Sequence, residues 1–160
     1  MTIATAESRE LRPIYLLFEQ LGCRGLDYDS TPPIKLIRSI REHLEEGGVL
    51  FLLGDFFRPS FPTATFFGRP THSPNGAVVL ALEKRVPIVP FYGYREKGFK
   101  HRLVFHPPLF LYKEVRPDQR RKATDKLNGV LEEMICQVPG QWFYWFNLDE
   151  RWDKTEICSI

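Results

Sequence analysis

Cysteine is scarce in this chain: Cys23, Cys136 and Cys158 lie far apart, with no Cys-x-x-Cys pair and no histidine at zinc-ligand spacing. A disulfide framework and a structural zinc site are therefore not what organises the fold, and a reduced, cytosol-facing setting is expected. Long apolar runs are missing too. No stretch approaches the roughly 20 residues a bilayer span needs, and Glu7, Arg9, Glu10, Arg12 and Glu19 interrupt any signal-peptide core. The chain by itself is expected to be soluble or peripheral. An excess of one charge is also absent, since 22 Lys and Arg face 20 Asp and Glu. Whole-molecule electrostatics thus favour neither nucleic acid nor an anionic membrane, although local basic clusters stay open. There is no internal repeat, no Gly-x-Gly-x-x-Gly and no phosphate-loop lysine, which sets a nucleotide-binding domain aside.

What is present suits one packed domain, taken as residues 1–160. Hydrophobic residues make up 43% of the sequence, with 13 Phe and 13 Pro. That composition points to strand ends and shaped loops rather than a helical bundle. A short helix is predicted over 9–22, ended by Gly22. A second has Thr31 as cap, Pro32 and Pro33 in its first turn, and Ile34, Ile37, Ile40 and Leu44 at helical spacing up to Gly47-Gly48. Val49 to Leu53 then reads as a buried parallel strand leading to Gly54-Asp55. Ala64 to Phe67 predicts a short strand ending at Gly68. Ser73 caps a helix with Pro74 at its first position and Ala77, Val78, Leu80, Ala81 and Leu82 inward. Val86 to Tyr94 is a strand broken by Pro87 and Pro90, and residues 102–105 return antiparallel after a turn at Glu96-Lys97-Gly98. A long helix from near Pro117 to Pro139 carries Ala123, Leu127, Val130, Leu131, Met134 and Val138 on one face. Gln141 to Phe146 reads as a terminal strand. The fold class is α/β, a mixed and mainly parallel sheet flanked by helices, with Asp55 beyond a strand end where ligands bind in such sheets.

Particular residues sit at the joints of these elements. They are Gly48-Val49 leading to Asp55, Phe66-Phe67-Gly68, Pro74 with Gly76 and Leu80-Ala81, Val86-Pro87-Ile88-Val89-Pro90, and His106-Pro107-Pro108-Leu109. Leu127-Asn128 with Leu131-Glu132 follows, and then Pro139, Gln141, Trp142, Trp145 and Arg151-Trp152. In order and spacing, from about residue 30 to about 153, they resemble the lipid A biosynthesis acyltransferases, the lauroyl and myristoyl transferase group of the glycerolipid (lysophospholipid) acyltransferase superfamily. The resemblance implies transfer of a fatty acyl group from acyl-carrier protein or acyl-CoA to a hydroxyl of a lipid A precursor, lysophospholipid or glycolipid. The thioester is a co-substrate, and no cofactor or metal is implied. The setting implied is the cytoplasmic face of the inner membrane, with a lipid acceptor and no nucleic acid as partner.

In that family a histidine followed after four residues by Asp or Glu takes the proton from the acceptor hydroxyl, which is a poor nucleophile near neutral pH. The histidines here are His43, His72, His101 and His106, and their fifth downstream residues are Gly48, Ala77, His106 and Leu111. None fits. The resemblance places the motif upstream of the matched region, so the expectation is a carboxy-terminal portion truncated at its N-terminus, from an internal start or a shortened gene. Such a portion is expected to expose an unpaired sheet edge and apolar surface, and to self-associate. The second reading is a non-catalytic remnant acting as a lipid-binding or interaction module.

Asp55 is the catalytic candidate, against the alternative of an Asp capping its own turn; the family's usual Gln after it is Phe56 here. Phe67 and Gly68 correspond to the strand-end element near the acceptor's polar group, or Gly68 serves only a positive φ. Arg58 and Arg69 can fork onto a phosphate or stay solvated, and Arg95 is a further substrate-binding candidate. Arg116, Arg120, Arg121 and Lys122 form a basic cluster fit for an acidic carrier or headgroup, or simply an exposed helix start. The Trp142 to Phe146 run suits core packing or a membrane interface. Asn147 and an extra Leu148-Asp149-Glu150 replace the family's His before the final Arg-Trp.

Overall fold

The computed structural model describes residues 12–23, 25 and 31–152, with side chains of the first helix from Leu16 onward. Cys158 and the polar tail lie outside the described residues. The chain divides into two compact units, Met1–Leu53 and Gly54–Ile160.

In the first unit, α1 (Arg12–Gln20) ends as the sequence predicts. Gly22 adopts a φ of +80°, and the Cys23 amide donates to Phe18 O at 2.9 Å, satisfying a terminal carbonyl. In α2 (Pro33–Glu45), Pro32 rather than Thr31 holds the N-cap position, with no side-chain cap bond. The expected apolar face is only partly used: Leu36 is buried, while Ile34 and Ile37 are exposed. Gly47, at φ +81°, turns the chain out of α2, and the Gly48 amide donates back to His43 O at 2.8 Å. The strand expected over Val49 to Leu53 is not formed; these residues carry no regular secondary structure. A strand exists only through ladder bonds to a neighbour, and this apolar run enters no ladder.

The second unit holds β1 (Thr63–Phe66), β2 (Arg69–His72), α3 (Gly76–Lys84), β3 (Phe91–Lys97), β4 (Lys100–Phe105), α4 (Leu111–Glu114), α5 (Arg120–Gln137) and α6 (Leu148–Arg151). The described strands form two antiparallel hairpins, β1 with β2 and β3 with β4, so a mainly parallel sheet is not what these residues build. Sequence order explains the difference. Each strand finds a partner across a two-residue turn, Phe67-Gly68 or Gly98-Phe99, at a far smaller loop-closure cost than a crossover. Arg69–His72 does not read as a strand because it is polar and contains Pro70. Pro70 stands opposite Thr65 in a non-hydrogen-bonded pair, where the missing amide costs nothing.

Three further expectations are corrected. Pro87 and Pro90 fall outside β3, which begins at Phe91, leaving Ile88 paired with Leu109 as an isolated bridge. Helix α3 starts after Asn75 rather than at Pro74, because the buried Ser73 hydroxyl is taken by Asn128 and does not cap. Gln141 to Phe146 is not a strand but two 3-10 turns, Pro139–Gln141 and Phe143–Asn147.

Helix α5 serves two cores. Toward its start, Ala123 and Leu127 pack with Val78, Leu82, Leu111 and Val115. Toward its end, Leu131 and Ile135 pack on an aromatic cluster centred on Phe66, Trp142 and Tyr144. Each aliphatic side chain buried this way contributes roughly 1.5–3 kcal/mol. The second core positions the site.

Candidate functional site

The site grows from the free edge of β1. Thr65 pairs opposite Pro70 at a non-hydrogen-bonded position, so its own amide and carbonyl face away from β2. Helix α5 meets that edge with three polar side chains on one face. Asp125 Oδ1 accepts from Thr65 N at 2.7 Å, Asn128 Nδ2 donates to Thr65 O at 2.7 Å, and Glu132 Oε1 accepts from Phe67 N at 2.7 Å. Asn128 Nδ2 also donates to Ser73 Oγ at 3.0 Å. Side chains of a helix here do the work of a neighbouring strand, so the unpaired edge expected from the sequence is closed at β1.

Phe67 and Gly68 form the hairpin turn with φ values of +50° and +71°, the type I′ geometry. Gly68 is suited to it, whereas a phenylalanine there stores about 1–2 kcal/mol of strain. The Phe67 ring is held 4.9 Å from that of Phe66 and 6.0 Å from that of Trp142. Replacing Gly68 with Ala is expected to destabilise the second unit by about 1 kcal/mol. Phe67→Asn, relieving strain while losing ring contacts, is expected to be close to neutral. Urea denaturation distinguishes the two, and equal losses in both would contradict the turn assignment.

Gly54 passes close to α5, where an added Cβ would meet Leu131 Cδ1 at 3.1 Å. Asp55 follows, half-buried. Its Oδ2 accepts from Trp142 Nε1 at 2.9 Å, and its backbone oxygen accepts from Arg151 Nη2. Arg151 is only 3% exposed and lies between two rings, 4.3 Å from the Phe66 centroid and 4.7 Å from that of Tyr144. Burial pulls its pKa down, against the opposing influence of Tyr144 and Asp55. Arg151 Nε and Trp152 Nε1 are buried without a hydrogen-bond partner. The four-residue α6 that delivers Arg151 contains the extra Leu148-Asp149-Glu150, so this departure from the family pattern builds a helical turn here.

The remaining candidates surround this cluster. Arg69 lies over the Trp152 ring at 5.1 Å, and Arg58 over Phe56, which packs against the cluster, at 5.8 Å. The Arg95 backbone is clamped by Gln141, which accepts from its amide at 2.8 Å and donates to its carbonyl at 2.9 Å. Arg95, Gly140, Gln141, Trp142, Phe143 and Phe146 line an open depression of about 380 Å³. Trp142 is therefore the common member: its indole nitrogen binds Asp55, its ring lies beside Phe67, and it borders the Arg95 depression. Asp55, Phe67, Gly68 and Arg69 are brought together, with Arg58 at their margin and Arg95 beyond Trp142.

Asp55 does not stand at a strand end, because the preceding strand is absent. Its carboxylate is engaged by an indole rather than by the backbone of its own turn. The histidines are occupied elsewhere: His43 Nε2 is 3.2 Å from Val49 O, His72 Nδ1 is 2.6 Å from Phe61 O, and His101 Nδ1 is 2.9 Å from Phe99 O. His106 lies beside the Tyr92 ring. Among the described residues no group of three His, Cys, Asp or Glu could hold a metal, and no helix is long and apolar enough to cross a membrane. In the basic cluster, Arg116 pairs with Asp118 at 3.5 Å and Arg120 with Glu83 at 3.4 Å.

Residue-by-residue reasoning did not single out Arg151, Gln141, Asn128 or Glu132 as site organisers, although each carries the resemblance. Asp125 went unremarked. The one local signal was Asn128, a polar residue on the buried stripe of an amphipathic helix.

Several of the joints that carry the resemblance, among them Asp55, Phe67, Asn128, Glu132, Gln141, Trp142 and Arg151, are thus residues that fasten this arrangement. Over residues 2–154 the sequence matches the bacterial lipid A biosynthesis acyltransferase family, a span that begins well before the residue 30 expected from the quoted joints. The chain belongs to that family. Comparison with curated proteins gives no match.

Proposed function

We propose that this chain is the acceptor-side portion of a membrane-associated acyltransferase that moves a fatty acyl group from acyl-carrier protein or acyl-CoA to a hydroxyl of a lipid A precursor or, in a host without lipid A, of a phospholipid or glycolipid. Family membership over residues 2–154 carries the reading, and the convergence of one carboxylate with guanidinium groups on a single aromatic cluster supports it. In the reaction the acceptor oxygen attacks the thioester carbonyl, the carbon–sulfur bond breaks, and the hydroxyl proton passes through a base to the departing thiolate. Asp55, held by Trp142 and Arg151, orients the acceptor or the base. Arg58 and Arg69 take a phosphate by forked donation, Phe67 and Gly68 border the acceptor's polar group, and Arg95 reaches it from the Trp142 side.

The base is the part these residues do not supply, since no histidine here is followed after four residues by an acid. That observation favours a second reading, a non-catalytic lipid-binding module. The deciding assay gives labelled acyl thioester and lipid acceptors to the 160-residue chain, and separately to the chain joined to a segment bearing His-x4-Asp/Glu from its own reading frame. Transfer only by the joined form is expected. Transfer by the short chain would sink the second reading, and none by the joined form would sink the first.

A further inference from the structure

Strand β4 leaves its outer edge bare. Where the β3–β4 ladder begins, the His106 amide donates to Pro90 O at 2.9 Å, and further along β3 both backbone groups of Arg95 are taken from outside by Gln141. Bonded and non-bonded pairs alternate along an antiparallel ladder. Tyr92 with Val104 and Tyr94 with Arg102 therefore exchange the ladder bonds, while Phe91 with Phe105, Gly93 with Leu103 and Arg95 with His101 turn their amides and carbonyls outward. On β3 that outward row meets Gln141 at Arg95. On β4 the row of His101, Leu103 and Phe105 meets no strand among the described residues. Leu103 and Phe105 are 60% and 63% exposed, so the edge is apolar as well as unpaired, the combination that invites another strand. The usual protections are missing from it. Residues 100–105 contain no proline, and the register shift of the hairpin falls on β3, between Arg95 and Lys97. The cations of β4, Lys100 and Arg102, lie on the opposite face and both pair with Glu96 of β3, which draws their charge away from the open edge.

We infer that β4 pairs edge to edge and antiparallel with β4 of a second copy of this chain, about a twofold axis at Leu103. A strand with the same outward pattern satisfies the row, and β4 fits itself in one register. Centring the axis on Leu103 aligns the outward rows of both copies. It opposes Leu103 to Leu103 of the second copy, His101 to Phe105 and Arg102 to Val104, so apolar and aromatic groups meet and no like charges do. Centring it on Arg102 would also align the rows, but would set two guanidinium groups directly opposite one another, which is destabilising. The sheet so formed runs β3, β4, β4, β3. Gln141 occupies its outer edge at each Arg95, so it closes as a dimer instead of growing into a fibre. In the row that holds Arg95 and His101, the second copy adds its Phe105 and Phe91, which stack at 5.2 Å. The inference goes beyond the proposed function and does not depend on it.

The test uses the whole chain in analytical ultracentrifugation. A discrete dimer is expected to build up between roughly 1 and 100 micromolar, the range of a small interface. Leu103→Pro removes an outward amide that takes no part in the β3–β4 ladder, so it is expected to abolish the dimer while leaving the circular dichroism unchanged. Leu103→Lys places like charges across the axis and is expected to weaken the dimer about tenfold. Register is read by cross-linking in a C23S/C136S/C158S background. Leu103→Cys is expected to form an intermolecular disulfide on oxidation, because directly opposed bonded residues stand about 5.5 Å apart at Cα. Val104→Cys is expected to form none, since two copies of residue 104 lie two residues out of register, beyond the roughly 7 Å a disulfide spans. A chain that stays monomeric throughout the range, a dimer or larger assembly that survives both Leu103→Pro and Leu103→Lys, or cross-linking through Val104→Cys as ready as through Leu103→Cys would each overturn the inference. None of these results bears on the acyl-transfer assay.

Discussion

Replacing Asn128 with Asp is expected to destabilise the second unit by about 3 kcal/mol or more near neutral pH, and by less in acid. Asn128 is buried and donates from one nitrogen to Thr65 O and Ser73 Oγ. An ionised carboxylate can donate to neither. It would face the Thr65 carbonyl with like partial charge in a place closed to water, and would stand one helical turn from Asp125, whose carboxylate already accepts from Thr65 N. The introduced acid would therefore have a folded-state pKa above its unfolded value. Its penalty is small below the unfolded pKa, grows as pH rises, and is complete above the folded pKa. Asn128→Ala, which leaves two polar groups unsatisfied without adding charge, should cost about 2 kcal/mol with no such slope. Urea denaturation of both variants from mildly acidic to neutral pH separates them. A flat profile for Asn128→Asp would show that the edge of β1 is not closed by this side chain.

Arg151→Ala is expected to cost about 3 kcal/mol, with Arg151→Met losing roughly half as much because it refills the volume between the rings. The side chain stacks on Phe66 and Tyr144 and holds the backbone of Asp55, so its removal loosens the aromatic core and the candidate carboxylate together. Against these losses stands the relief of a buried charge with an unpartnered Nε. The direction of the Arg151 pKa fixes the pH behaviour. Burial lowers it in the folded chain, so the charged form opposes folding at every pH below that lowered value, and relief comes only as pH rises through it in strongly basic solution. The stability lost in Arg151→Ala should hence be level across the neutral range. Trp142→Phe gives the complementary result: it keeps an aromatic ring in the core but removes the donor to Asp55 Oδ2, and is expected to cost about 1 kcal/mol. In a catalytically complete form, Trp142→Phe lowering turnover far more than stability would mark Asp55 as functional, while parallel losses would make it structural.

The sequence was legible where a signal is local. The glycine endings of α1 and α2, the long α5 and the returning strand β4 all follow from spacing and punctuation within a few residues, because helix periodicity and turn chemistry act over one or two turns of chain. Family membership was legible in the same way, through short joints in fixed order. Apolar character at Val49 to Leu53 and at Trp142 to Phe146 was visible too, but it states that a segment is to be covered, not by what. The first run enters no ladder, and the second folds into 3-10 turns because Trp142 and Tyr144 bury against Phe66 while Phe143 and Phe146 face outward.

By itself, then, the sequence specified α1, α2 and α5, the return of β4 and the joints through which the family is matched, and it nominated Asp55, Arg58, Phe67, Gly68, Arg69 and Arg95 as candidates. Only the tertiary structure decided that β1 pairs antiparallel with β2, that α5 closes β1 through Asp125, Asn128 and Glu132, and that Trp142 and Arg151 hold Asp55 across 87 and 96 residues of chain. The physical reason is range: capping, turn and periodicity preferences are properties of neighbouring residues. Which polar group satisfies a buried carbonyl, and which ring flanks a buried cation, depends on partners that only the folded chain brings within 3–5 Å.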